Sequence, residues 1–257
     1  MAVPRVLKCY ADDSGDAPDP NCNAVAVAGY VGTVESWEVF ERLWRSDVLE
    51  VHDAPYLHMK QFTGIVPPFE WDETKRRSFL GAAANAIKGS GLRGVSEVIR
   101  LDDLRRFNQD RKFGLDPIAL ALYGCMLSLN VIYPSSIYEG VTFEVILDKF
   151  TKATSKIKKA RQYAASAKRD DVSRNMMVTP LMGGLSFKNV LPMQAADFLA
   201  YEVLKFNGAK IATWTVGNEA PVRRKSFDIL WDAAAVDGSV WDYAWLNQIT
   251  AYRGGVW

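Results

Sequence analysis

Histidine and cysteine are scarce in this chain: two of the first and three of the second in 257 residues. His52 and His58 have no third or fourth ligand spaced to complete a zinc site. Cys9, Cys22 and Cys125 are scattered and odd in number, which excludes a disulfide framework or thiolate cluster. With no charged, apolar leader at the N-terminus, the expected location is a reducing cytoplasm. Neither sign of charge is in excess: 31 Lys and Arg oppose 30 Asp and Glu. Any attraction to nucleic acid must therefore be local rather than global. Long apolar runs are missing too. The longest largely apolar run, IALALYGCMLSLNVIY within Pro117–Pro134, is shorter than the ~18 to 20 residues of a membrane span. It also carries Gly124, Ser128 and Asn130, so it reads as a buried central helix packed on a sheet, with no membrane partner. There is no nucleophile elbow and no Cys-His pair, which leaves no obvious protein nucleophile. Without repeats or a linker, the chain is expected to form a single α/β domain, 1–257.

Acidic residues, by contrast, stand at telling positions. Val6 to Asp16, VLKCYADDSGD, alternates like a strand and then stops in Asp12, Asp13, Ser14 and Gly15. An Asp-Ser-Gly turn can simply close a hairpin. A carboxylate at a rigid strand end also suits magnesium or manganese, which take few, well-placed carboxylates and keep several waters. Val141 to Asp148, VTFEVILD, is a second β-branched run that ends in an acid. In Leu191 to Tyr201, LPMQAADFLAY, helical spacing puts Gln194 and Asp197 on one face. An Asp within an apolar helix faces either water or a cation, because burial without a partner is costly. Two strand-end acids and one helix acid make the ligand set of a two-metal phosphoryl-transfer site.

Around these acids the pattern alternates strands and helices. Ala24–Gly32 reads as a small-residue strand hairpin-paired with the first. Val34–Val51 reads as an amphipathic helix with Trp37, Phe40, Trp44 and Val48 inward, the tryptophans being core rather than a base-stacking platform. If PYLHMKQF is a strand, His58 and Lys60 point the same way. They are then either surface groups or site groups, the lysine countering phosphate charge and the histidine moving a proton. Asp72 is a plausible cap for a Thr74–Lys88 helix. Gly89-Ser90-Gly91-Leu92-Arg93-Gly94 matches the dinucleotide fingerprint formally, but it leaves a helix and enters a strand, which is the wrong order. A strand over Gly94–Leu101 and a polar helix over Asp102–Asp110 follow.

Immediately after Asp148 the chain turns basic. Lys149, Lys152, Lys156, Lys158, Lys159, Arg161, Lys168 and Arg169 meet no acid before Asp170. This is either a solvated helix face or a phosphate attractor beside the acids. Val178–Asn189 reads as a turn and an edge strand. The end of the chain reads as helical, from Arg223 through Leu230 and Trp231 and again over Val240–Ile249. Its aromatics supply packing or a homodimer surface.

Asp12-Asp13-Ser14-Gly15, then a strand and a Trp-rich helix, His58-Met59-Lys60, Asp148 and Gln194-Ala195-Ala196-Asp197 together resemble the domain-of-unknown-function 3800 family. The resemblance covers roughly residues 5 to 206. It implies a ribonuclease H-like mixed sheet flanked by helices, and residues 207–257 are then a helical extension. It also implies a metal-dependent nuclease, with Ser14 and Gln194 as supporting residues. Asp13 stands where that family usually has Glu, one methylene longer.

The expected activity is hydrolysis of a phosphodiester in nucleic acid or a nucleotide, using Mg²⁺ or Mn²⁺ on Asp12, Asp148 and Asp197, with Asp13 a weaker ligand. Lys60, Lys149, Lys152, Lys156 and Lys159 would hold phosphate. Two alternatives stay open. One is a non-catalytic ribonuclease H-like module that binds nucleic acid or a protein partner. The other is a nucleotide phosphohydrolase with a closed pocket.

Overall fold

The computed structural model of the protein describes residues 6–19, 21–134, 140–148, 153–169, 172, 175–181, 185, 188–214, 228, 230 and 235–252. Lys149, Lys152 and the Arg223–Phe227 part of the expected C-terminal helix lie outside these residues. Six strands are described: β1 (Val6–Ser14), β2 (Ala24–Gly32), β3 (Arg93–Arg100), β4 (Thr142–Leu147), β5 (Met176–Pro180) and β6 (Asp237–Trp241). They form one mixed sheet in the order β5-β4-β1-β2-β3-β6. β1, β2 and β3 make an antiparallel meander. β4 pairs parallel with β1, β5 with β4, and β6 with β3. Only β2 runs against the other five. The chain leaves β1 first toward β3 and later, through β4, toward the opposite edge, so the β1/β4 boundary is a topological switch point.

Helices cover both faces. On one lie α4 (Leu101–Arg111), α5 (Pro117–Ile132), α6 (Ala153–Ser166) and α8 (Tyr243–Tyr252). On the other lie α1 (Val34–Leu43), α2 (Met59–Gly64), α3 (Glu73–Ser90) and α7 (Leu191–Trp214). Strand alternation divides the core in two. Leu7, Cys9 and Ala11 of β1 and Val25, Val27 and Val31 of β2 face α5 and α6. Ala24, Ala26, Ala28 and Tyr30 face the α1, α3 and α7 side. β2 is buried along its whole length, as a strand covered on both faces must be.

Local chemistry fixes the helix ends. Asp72 accepts from Lys75 N–H to start α3, and Gly91 ends it in the left-handed region at φ 69°. Asp116 accepts from Ala119 N–H, with Pro117 in the first turn of α5. α5 is the buried helix its composition suggests, seated on β2 and β3. Gly124 lets it approach: a Cβ there would stand 2.8 Å from Glu97 Cγ and 3.0 Å from Trp241 Cζ2.

Three expectations need correction. The helix from Val34 is α only to Leu43 and continues as a π-helix over Trp44–Glu50. PYLHMKQF is not a strand, since His58 stands at the N-cap position and α2 begins at Met59. Met59 and Phe62, three apart, are both buried, which is a helical spacing. The C-terminal segment is not purely helical either. Val240 and Trp241 lie in β6, paired with Val98 and Ile99, because a β-branched and an aromatic residue fit a strand packed under α5. The part of the chain expected as an appendage thus completes the sheet.

Candidate active site

β1 carries two acids at its C-terminal end, and alternation separates them. Asp12 follows Tyr10 toward α7, whereas Asp13 follows Ala11 toward α6. β4 runs parallel to β1, with Ala11 level with Leu147 and Asp148 N–H donating to Ala11 O at 3.3 Å. One step beyond the strand, Asp148 therefore stands beside Asp12 at the switch-point rim. α7 crosses β1 and β2 and packs Met193 and Ala196 against Tyr10 and Ile146. That contact brings Asp197 over the same rim.

Asp12 feels the other three carboxylates. Burial, then the charges of Asp197, Asp13 and Asp148, hold the Asp12 carboxyl well above the usual carboxylate range. The Asp13 N–H, 2.8 Å from Asp12 Oδ1, pulls weakly the other way. Burial and Asp148 push Asp13 up to about 6, with Lys156 opposing. Asp197 is also pushed to about 6, by burial and by Asp148, against the Met59 N–H and the nearby His58. Such a cluster must hold protons or recruit a cation. Its donors are hard oxygens, the chemistry magnesium and manganese take. As placed, no three His, Cys, Asp or Glu side chains among the described residues form a group that could hold a metal ion. The donor chemistry fits a divalent cation, while the carboxylates stand apart rather than closed around a point.

Neighbouring groups hold this rim in shape. Met59 N–H donates to Asp197 Oδ2 at 2.6 Å, tying the start of α2 to α7. One helical turn earlier, fully buried Gln194 accepts through Oε1 from both Leu57 N–H and Trp44 Nε1–H, each at 2.9 Å. Gln194 and Asp197 do share a face, and both grip the same loop. His58 Nδ1 is 3.2 Å from Gln61 Oε1. Lys60 is exposed one residue beyond Met59, and Ser14 ends β1 opposite Ala26.

The basic segment divides in two. Lys156 Nζ hydrogen-bonds Asp116 Oδ2, and Lys159 Nζ is 3.5 Å from the same oxygen. Burial would raise the Asp116 carboxyl, but these lysines and the Ala119 N–H outweigh it and hold it below the ordinary range. Both nominated lysines thus face an acid inside the protein. Sequence reasoning missed Asp116: an acid just before a proline is a helix-cap signal that could have found it, but its ion pairs are made across the fold. Trp37, Phe40 and Trp44 are buried side by side, so the tryptophans are core. Trp241 is buried against Trp245, their ring centroids 3.9 Å apart. Among the described residues no helix is long and apolar enough to cross a membrane. No family model matches the chain, and no curated protein matches it either.

Proposed function

We propose that the protein is a divalent-metal-dependent phosphodiester hydrolase, a nuclease built on a ribonuclease H-like sheet. The observation that carries this reading is that Asp12, Asp148 and Asp197 lie along one rim of the sheet, with Asp13 on the other face of β1, near enough for the charges of the other three to act on Asp12. The position supports it as well, since open α/β sheets bind ligands beyond the strand C-termini at a switch point. So does a meander of three strands extended by two parallel ones across β1.

In this reading Asp12, Asp148 and Asp197 would hold Mg²⁺ or Mn²⁺, and the ion would supply Lewis acidity and an activated water. Asp197 keeps Oδ2 on the Met59 N–H and offers Oδ1 to the site. Asp13, on the opposite face of the strand, acts from outside the ligand set. His58, close enough to favour the charged form of Asp197, would move the proton. Lys60 offers its charge to phosphate from the exposed start of α2.

A second reading rests on the open spacing of the carboxylates: the same scaffold binds nucleic acid or a protein partner without cutting it. Manganese titration by calorimetry on wild type and Asp197→Asn separates the two. Binding in wild type that the variant loses is expected, and no heat in wild type would favour the non-catalytic module. Cleavage of labelled DNA and RNA should then disappear in Asp148→Asn with an unchanged circular dichroism spectrum. Full turnover by that folded variant would sink the assignment.

A further inference from the structure

α6 returns from β4 to β5, so it runs antiparallel to both, and its first turn lies near the C-terminal end of β5. Between the outer side of α6 and the edge strand β5 runs a groove of about 430 Å³. Ile157, Val178 and Pro180 give it an apolar floor, and Thr154, Lys158 and Arg161 line it from α6. Lys158 and Arg161 lie three residues apart, about 4.5 Å along the helix axis. Neither makes an ion pair or hydrogen bond with another described residue, in contrast to Lys156 and Lys159 one step round the same helix. One end of the groove has an address. Pro180 is level with Leu147, and Leu181 N–H donates to Leu147 O at 2.7 Å. The next residue along β4 is Asp148, in the carboxylate rim.

We infer that this groove is the track for a single nucleic-acid strand, with Lys158 and Arg161 on consecutive backbone phosphates and sugars against Ile157, Val178 and Pro180. The inference rests on the nuclease reading for its direction: the strand is led along α6 to Asp148. A row of cations on one helix face, over an apolar floor beside a sheet edge, serves one backbone and reads no sequence. Within the basic run the groove thus narrows the phosphate role to Lys158 and Arg161, since Lys156 and Lys159 are turned to Asp116.

The test is binding of a fluorescent 12-nucleotide single strand, DNA in one arm and RNA in the other. Anisotropy is followed from about 25 to 200 mM salt in EDTA. Without divalent ions the readout is independent of metal binding, so failure of the hydrolase reading and failure of this one are separable. Lys158→Ala/Arg161→Ala is expected to bind roughly 10- to 30-fold more weakly at about 0.1 M salt, with a log–log salt slope shallower by about 1.4. Arg45→Ala/Lys88→Ala removes the same charge from the far layer and should bind like wild type. The proposal is overturned by a wild type that binds neither strand, by equal losses in the two double variants, or by a duplex that binds as well and depends equally on Lys158 and Arg161.

Discussion

Asp12 and Asp13 are adjacent in sequence, yet the strand sends them to different layers, one toward Asp197 and the other toward Lys156. That separation is legible from alternation alone. The consequence for charge is not, because it depends on what α6 and α7 bring from more than a hundred residues away. Asp13 has an ordinary pKa of 3.8 when unfolded and about 6 in the folded protein. Between those values the folded state keeps a proton that the unfolded chain has released. Its contribution to stability is therefore greatest below about pH 4 and is lost as pH rises through 6. In EDTA, Asp13→Asn should match wild type near pH 4 and exceed it at pH 8 by about 2 kcal/mol, after some discount for partial exposure. Urea unfolding at both pH values reads this, and a gap that does not widen with pH would remove charge as the cause.

Among the elements, α7 does most to organise the rim. Its acid and glutamine were legible as an i, i+3 pair, and that pairing holds. What they hold was not legible. PYLHMKQF alternates well enough to pass for a strand, but Gln194 and Asp197 capture its Leu57 and Met59 N–H groups and start a helix. Tertiary hydrogen bonds decide the local conformation there. Gln194→Ala leaves the Leu57 N–H and the Trp44 indole N–H buried without their acceptor, a loss of roughly 2 to 4 kcal/mol. Gln194→Glu keeps an acceptor oxygen and separates loss of the bonds from loss of the amide. Hydrogen exchange at Leu57 and Met59 should accelerate in Gln194→Ala well before global unfolding. Unchanged protection there would show that the loop is held by something else.

For the whole molecule, the sequence reveals the first four strands along the chain, the pairing of the first two and a mixed sheet flanked by helices, but misjudges where the fold stops. A short β6 with glycine and serine gives little periodic signal. The anchor that holds it is a single buried carboxylate, Glu97, invisible to a count of apolar residues. Glu97 accepts from Ser128 Oγ at 2.6 Å, Ser239 Oγ at 2.5 Å and Trp241 Nε1 at 2.7 Å. Burial pushes its pKa up to about 7 despite these three donors. The C-terminal segment thus shares the core of β3 and α5. Trp241→Ala should cost about 3 to 5 kcal/mol in the stability of the entire chain. Wild type should unfold in one transition, with fluorescence and far-ultraviolet dichroism coincident. Two resolved transitions would mean that residues 237–252 dock as a separate unit.

The pairing of β6 with β3 also imposes a schedule on synthesis. β3 leaves the ribosome early, and the strand that covers its outer edge is made only after all four rim acids have been translated. At ~5 to 20 residues per second the nascent chain waits roughly 7 to 30 s with that edge bare. The Glu97 carboxylate waits with it, still lacking Ser239 and Trp241. During that interval the emerging chain is a natural client for a chaperone, and slow codons between β5 and β6 would lengthen its exposure to aggregation.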